Sequence, residues 1–158
     1  MKLLVLSDSH GKIDRMQIAA DKTKPDAILH LGDCFSDALE LQRRLPGVKV
    51  YMVKGNNDWQ PGGENELLLT LEGVTIYMTH GHHYRVKNGL HTLAERARQK
   101  KADLALFGHT HQSLVRQEPG VWLMNPGQML RHPVSYGIVT VEDGSFKCEI
   151  MRLPGAIE

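Results

Sequence analysis

Cysteine is scarce: Cys34 and Cys148 are the only two and neither sits in a CxxC pair, which argues against a disulfide framework and for a reducing compartment. Long apolar runs are missing too. Fully apolar stretches such as Leu3–Leu6 reach four residues, against about 18 for a membrane span, and Asp8 and His10 follow at once, so a soluble, untargeted, cytoplasmic chain without membrane association is expected. Neither sign of charge is in excess, with 19 Lys plus Arg against 18 Asp plus Glu and a formal net charge of +1. No basic stripe tracks a polynucleotide backbone, so stable nucleic-acid binding is not expected. Repeats, linkers and low-complexity segments are also lacking. At 158 residues, 41% apolar and 23% charged, the chain reads as a single domain over 1–158 with a sizeable core. Histidine is the compositional exception, with nine residues, most of them clustered.

Apolar runs of strand length alternate with helical periodicity in the first half. Strands are predicted over 2–7, 27–31 and 48–53, and helices over 12–22 and 36–45, the second stopped by Pro46-Gly47. Strand-helix alternation implies a mostly parallel sheet, whose ligands gather outside the carboxyl ends of the strands. The second half opens with a hairpin, 67–71 and 74–79, around Glu72-Gly73. A helix over 89–100 and a strand over 104–107 follow, and then 113–117, 121–124, 135–141 and 146–152 read as successive antiparallel strands joined by Pro119-Gly120, Asn125-Pro126-Gly127 and Asp143-Gly144. The expected class is α/β of the α+β type, with two mixed sheets, the first mainly parallel and the second richer in antiparallel pairs.

Five strand ends deliver polar residues: Asp8 and His10, Asp33, Asn56, His80, and His109 with His111. Every one of these side chains can ligate a divalent cation. Alone each has an ordinary reading: Asp8 as a helix cap, Gly32-Asp33 and Gly55-Asn56 as turns, His109 and His111 as solvated histidines. Together they converge where such a fold builds its site. Two ions with about four protein ligands each, one shared, require seven residues and leave positions open for water and substrate. Asp33 is the natural bridge, because a carboxylate has two oxygens and offsets repulsion between cations.

The ordered set Asp8-x-His10, Gly32-Asp33, Gly55-Asn56-x-Asp58, His80-Gly81-His82 and Gly108-His109-x-His111 closely resembles the calcineurin-like metallophosphoesterases, and within them the small bacterial and archaeal phosphodiesterases related in fold to a retromer subunit. The resemblance spans about residues 1–140 and ends at Asn125-Pro126-Gly127, where relatives continue with Ser and this chain has Gln128. It implies a four-layer αββα sandwich of two mixed sheets flanked by helices. It implies one metal on Asp8, His10, Asp33 and His111 and another on Asp33, Asn56, His80 and His109, with manganese as the ion and nickel, iron or zinc as substitutes. The implied reaction is attack on phosphorus by a hydroxide bridging the ions, served by Asp33, Asn56 and His80.

Two departures shape the expected activity. Many relatives carry His after the metal-binding Asn, to protonate the leaving group; this chain has Asn57, which is no acid. His82 is the candidate substitute, as proton donor or supporting partner. Asp58 is expected to support the Asn56 loop or to orient a histidine. The protein-phosphatase branch carries an Arg soon after its bridging Asp, whereas here Cys34-Phe35-Ser36-Asp37-Ala38 follows Asp33, which disfavours a phosphoprotein monoesterase. A small phosphodiester is therefore the expected substrate. Arg85, Lys87 and Arg131 follow site loops and read as solvated charge or phosphate contacts; Trp59 and Tyr84 as core-edge packing or flat faces for a base. Competing readings are a metal-binding interaction platform with little catalysis and a zinc-type hydrolase of carbonyl substrates. Oligomeric state is left open.

Overall fold

A computed structural model describes residues 1–59 and 61–154. In chain order the described residues form β1 (Lys2–Leu6), α1 (Ile13–Thr23), β2 (Ala27–His30), α2 (Phe35–Arg44), β3 (Lys49–Met52), β4 (Glu66–Leu71), β5 (Val74–Thr79), α3 (His91–Gln99), β6 (Leu104–Leu106), β7 (Leu114–Glu118), β8 (Val121–Asn125), β9 (Ser135–Glu142) and β10 (Ser145–Arg152). Two 3-10 turns, His82–Tyr84 and Val86–Asn88, lie between β5 and α3. Met16, Ala19, Ala20 and Thr23 bury one face of α1, the spacing of a helix laid on a sheet. Its end is set by Lys24, whose left-handed backbone returns its N–H to the Ala20 carbonyl, and by the Pro25 that cannot continue a helix.

One sheet has the order β10-β9-β1-β2-β3 and the other β4-β5-β6-β8-β7. Side-chain alternation along each strand sorts residues between layers. Leu3, Val5 and Leu29 of the first sheet meet Ile76, Met78, Leu104 and Leu106 of the second in a fully buried central core. Leu4, Leu6 and Ile28, on the opposite face, pack under α1 and α2 with Met16, Ala19 and Leu41. Tyr77 and Ala105 pack outward against Leu93, Ala94 and Ala97 of α3. The result is the four-layer αββα sandwich. Among the described residues no helix is long and apolar enough to cross a membrane.

The strand inventory differs from expectation in one respect. The strands β7 to β10 are not one antiparallel run. Antiparallel β7 and β8 stay in the second sheet, where β8 runs parallel to β6, while β9 crosses to the first sheet and pairs antiparallel with β1. Each sheet therefore holds two parallel and two antiparallel pairings. The segment between β8 and β9 is no hairpin turn: Met129 and Val134 within it are buried in the outer core beneath α1, which carries the chain across to the first sheet. Parallel β1, β2 and β3, and parallel β5, β6 and β8, consequently bring their carboxyl ends together.

Leu4 is fully buried between the first sheet and its helices. Leu4→Ala should lower unfolding free energy by about 2–5 kcal/mol, the range for an unfilled core cavity, as read from urea denaturation followed by circular dichroism.

Candidate metal centre

The strand ends are stitched to one another by backbone bonds. Asp8 donates its N–H to Gly32 O at 2.9 Å, Gly108 to His80 O at 2.9 Å, and Met129 to Asp8 O at 3.3 Å. The first bond joins loops of the first sheet, the second joins loops of the second sheet, and the third links the segment after β8 to the loop after β1, so the polar breaks form one edge rather than separate loops. Five of the seven candidate ligands have left-handed backbones: Asp8 (φ 55°), His10 (φ 42°), Asp33 (φ 43°), His109 (φ 69°) and His111 (φ 64°). An L-residue enters that region at a cost of about 1 kcal/mol or more. Packing elsewhere holds the loops in this aim.

At the middle lies Asp8, with its carboxylate fully buried. Its Oδ2 accepts from Ser7 Oγ at 2.6 Å and from the His109 N–H at 3.1 Å. Among the described residues its Oδ1 has no hydrogen-bond partner, and neither do His10 Nε2 and His80 Nε2. Around that oxygen stand His111 Nε2 at 3.2 Å, His80 Nε2 at 3.8 Å and His10 Nε2 at 3.9 Å. Asp33 Oδ2 lies 3.5 Å from His80 Nε2. Two groups result, Asp8-His10-His111 and Asp8-Asp33-His80, each with its ligand atoms within 4.8 Å of one another. Ligands about 2.1 Å from one ion sit up to about 4.2 Å apart, so the separations suit a cation. Asp8 is common to both groups, and the expected bridge Asp33 belongs to the second.

His80 states the electrostatic problem most sharply. Its Nδ1 lies 2.8 Å from the Leu31 carbonyl, which can only accept, so Nδ1 carries the proton and the free lone pair of Nε2 faces two carboxylates. Either a proton or a cation must sit there. Burial opposes charging His80, but the neighbouring Asp33 and Asp8 carboxylates prevail and raise its pKa. Asp8 shows the converse. Burial pushes its carboxyl up, yet the close approach of His111, the His80 charge and the Ser7 hydroxyl outweigh it and hold the pKa below the usual value. Asp33 is lowered as well: burial raises it, while His80 and the two Asn57 bonds lower it further.

The remaining residues are placed as follows. The His109 ring packs edge-on against His80 with centroids 5.1 Å apart. Asn56 is exposed on the turn that holds Asp33. Its neighbour Asn57 grips the Asp33 carboxylate with both its backbone N–H, at 3.0 Å, and its side-chain amide, at 2.8 Å. Asp58 accepts from the N–H groups of Asp33, Phe35 and Gly55 at 3.0, 2.7 and 2.7 Å, so it binds the two loops together. The His82 ring lies 5.5 Å from His80 and 6.1 Å from His109. Burial first, then the neighbouring histidines, lower its pKa to about 4, and its Nδ1 is buried without a partner. Arg85, Lys87 and Arg131 are exposed; Lys87 is near enough to help burial and His80 depress His109. The Tyr84 hydroxyl bonds Glu66 and Tyr77 at 2.6 and 2.7 Å at the core edge, whereas Trp59 is 87% exposed. Cys34 is half-buried and its thiol lies 3.0 Å from Ser36 Oγ.

Two glycines leave room for carboxylates. A Cβ on Gly55 would stand 2.1 Å from Asp33 Oδ1, and one on Gly108 would stand 2.1 Å from Ser7 Oγ and 2.7 Å from Asp8 Oδ2.

Several supports had no signal in the sequence. His30, fully buried, accepts the Gly32 N–H on Nδ1 at 3.2 Å, which leaves Nε2–H to donate to Ser9 Oγ at 3.1 Å. Ser9 passes its own proton to Asp37 Oδ2 at 2.7 Å, which also accepts the Gly11 N–H. The chain of bonds ties the Asp8-His10 loop to the Asp33 loop and α2. On the other side Asn125 donates to Gly108 O at 3.1 Å and Thr110 Oγ1 at 3.0 Å, fixing the His109-His111 loop. Only the Asn-Pro-Gly break hinted at that role.

Residues 1–144 match the calcineurin-like phosphoesterase superfamily domain. The chain belongs to this family. It is 35% identical over 150 residues to the probable metallophosphoesterase YsnB of Bacillus subtilis, covering 90% of this chain and 86% of that one. A predicted phosphoesterase from Streptococcus pneumoniae shares its structure at a TM-score of 0.80 and 28% identity, with 98% and 93% of the two chains covered. Vps29 from Entamoeba histolytica, solved with zinc, shares the fold at a TM-score of 0.77 and 24% identity, over 96% and 99%. This calcineurin-like phosphoesterase thus joins a family of metal-dependent hydrolases, and its own buried carboxylates and histidines fit a metal.

Burial holds His30 neutral, lowering its pKa to about 4, against about 6.5 in the unfolded chain. The unfolded state binds the extra proton between those values, so stability falls as pH drops through this window. In metal-free protein His30→Gln should lose about 2 kcal/mol less than the parent between pH 7 and pH 5. Urea titrations at both pH values test this, and equal losses would contradict it.

Proposed function

We infer that this phosphoesterase is a dinuclear metal-dependent phosphodiesterase acting on small diesters. The observation carrying the reading is that His10 Nε2 and His80 Nε2 lie 3.9 and 3.8 Å from Asp8 Oδ1 in two adjoining ligand groups, all three atoms buried and without a hydrogen-bond partner among the described residues. Asp8, His10, Asp33 and His111 would hold one ion, and Asp33, Asn56, His80 and His109 the other, with manganese favoured for a mixed oxygen and imidazole set. When bound, such a pair lowers the pKa of coordinated water from 15.7 toward about 7 and neutralises charge building on the phosphoryl oxygens.

The protein's part is positioning. Leu31 O fixes the His80 tautomer, leaving Nε2 free to ligate, and Asn57 holds both Asp33 oxygens in place; such supports are typically worth 10–100-fold in affinity or activity. The water oxygen bonds to phosphorus as the opposite P–O bond breaks in line, and the departing alkoxide takes up a proton. Asn57 cannot supply it. His82 is held to about 4 by burial and its histidine neighbours, so it is neutral at pH 7. A placed acid normally contributes about 10²- to 10⁴-fold. Its lack favours substrates with good leaving groups. Monoesters are disfavoured because no Arg follows Asp33 in the stretch Cys34-Phe35-Ser36-Asp37-Ala38. All seven candidate positions keep ligating side chains, which supports an enzyme over the interaction-platform reading.

Manganese-loaded protein should hydrolyse bis(p-nitrophenyl) phosphate faster than p-nitrophenyl phosphate, and Asp33→Asn or metal removal should abolish both. Across a series of aryl diesters the rate should fall steeply as leaving-group pKa rises. Equal turnover without metal, or a flat series, would refute the mechanism.

A further inference from the structure

Beside His111 lies a cavity of about 320 Å3, lined by His111, Gln112, Ser113, Pro133, Ser135 and Arg152, which the hydrolytic mechanism leaves unused. Its walls are built by specific residues. Ser135 and Arg152 stand directly opposite each other in the β9–β10 ladder, so their side chains leave the same face of the sheet. Gly127 lets the two serines approach: a Cβ there would stand 1.8 Å from Ser135 Oγ and 3.5 Å from Ser113 Cβ. Ser135 Oγ is itself anchored to Pro126 O at 2.8 Å.

Buried Gln128 clips the third wall. Its amide nitrogen donates to the carbonyls of Arg131 and Pro133, and its Oε1 accepts the Arg131 N–H at 2.8 Å. A Ser at this position would be too short to hold both carbonyls. The wall formed by Pro133 is therefore tied to a residue in which this chain departs from the family pattern.

The lining includes both a candidate metal ligand, His111, and an exposed cation, Arg152. Among the described residues the Arg152 guanidinium has no carboxylate partner. Arg is suited to forked, charge-assisted recognition of a phosphate, and Gln112 and Ser113 offer further donors. The volume is at the small end for ligand pockets, which suits one substituent of a molecule already held at the metal centre.

We propose that this cavity is a subsite for a second phosphate group carried on one alcohol of the diester, with Arg152 selecting for it. The proposal rests on the phosphodiesterase reading and narrows its substrates to diesters bearing an additional phosphate, as in a 5′-phosphorylated dinucleotide. Two readouts on the manganese-loaded full chain test it. One is the ratio of kcat/KM for a dinucleotide with and without its 5′-phosphate. The other is the ratio of calorimetric affinities for adenosine 3′,5′-bisphosphate and adenosine 5′-monophosphate. Both ratios should exceed one by about tenfold, approach one in Arg152→Gln, recover partly in Arg152→Lys, and shrink as salt rises. A parent ratio of one, or a ratio unchanged in Arg152→Gln, overturns the proposal; a merely structural Arg152 would lower both members of each pair and leave the ratio alone. Failure to hydrolyse bis(p-nitrophenyl) phosphate would sink the phosphodiesterase reading alone, provided the binding ratio still depends on Arg152.

Discussion

A single buried carboxylate oxygen governs this molecule. Asp8 has one oxygen satisfied by Ser7 and the His109 backbone and the other without a partner, ringed by imidazole nitrogens of His10, His80 and His111. An uncompensated buried charge is strongly destabilising, and a histidine lone pair pointing at carboxylates makes matters worse. A pair of divalent cations would resolve these conflicts, because each orphaned atom would then be a ligand. Protonation of His80 is the alternative that the metal-free chain has available.

Everything else in the architecture serves that convergence. The two sheets stack so that parallel strands from each finish side by side, and backbone bonds between their end loops hold the loops in register. Left-handed backbones at five candidate ligands show that local preference is overridden. The restraint comes from residues that touch no cation: Asn57 on Asp33, Asp58 on three N–H groups, the His30–Ser9–Asp37 chain, and Asn125 under the His109 loop. Stability and ligand placement are thus properties of the same network.

How much of this could be read from the sequence follows from which interactions are local. Strand ends announce themselves through apolar runs cut by Asp, Asn or Gly-His, and the four layers follow from alternation within β1, β2, β5 and β6. The crossing of β9 to the first sheet was not legible, since antiparallel strands look alike whichever sheet they join, and only the burial of Met129 and Val134 decides it. His30 read as the end of a buried strand; its role depends on Ser9 and Asp37, which are remote in sequence. Gly55 and Gly108 looked like turn residues, yet they are constrained by carboxylates belonging to other loops. The cavity beside His111 assembles three separated segments and leaves no one-dimensional trace.

The most direct test is the number of manganese ions retained per chain after equilibrium dialysis, measured by elemental analysis for the parent and for Asp8→Asn. Asp8 would ligate one ion and also lies against the second ligand group, so the parent should retain about two ions and the variant about one or fewer. A parent that retains none, or a variant that retains as many as the parent, would contradict the account.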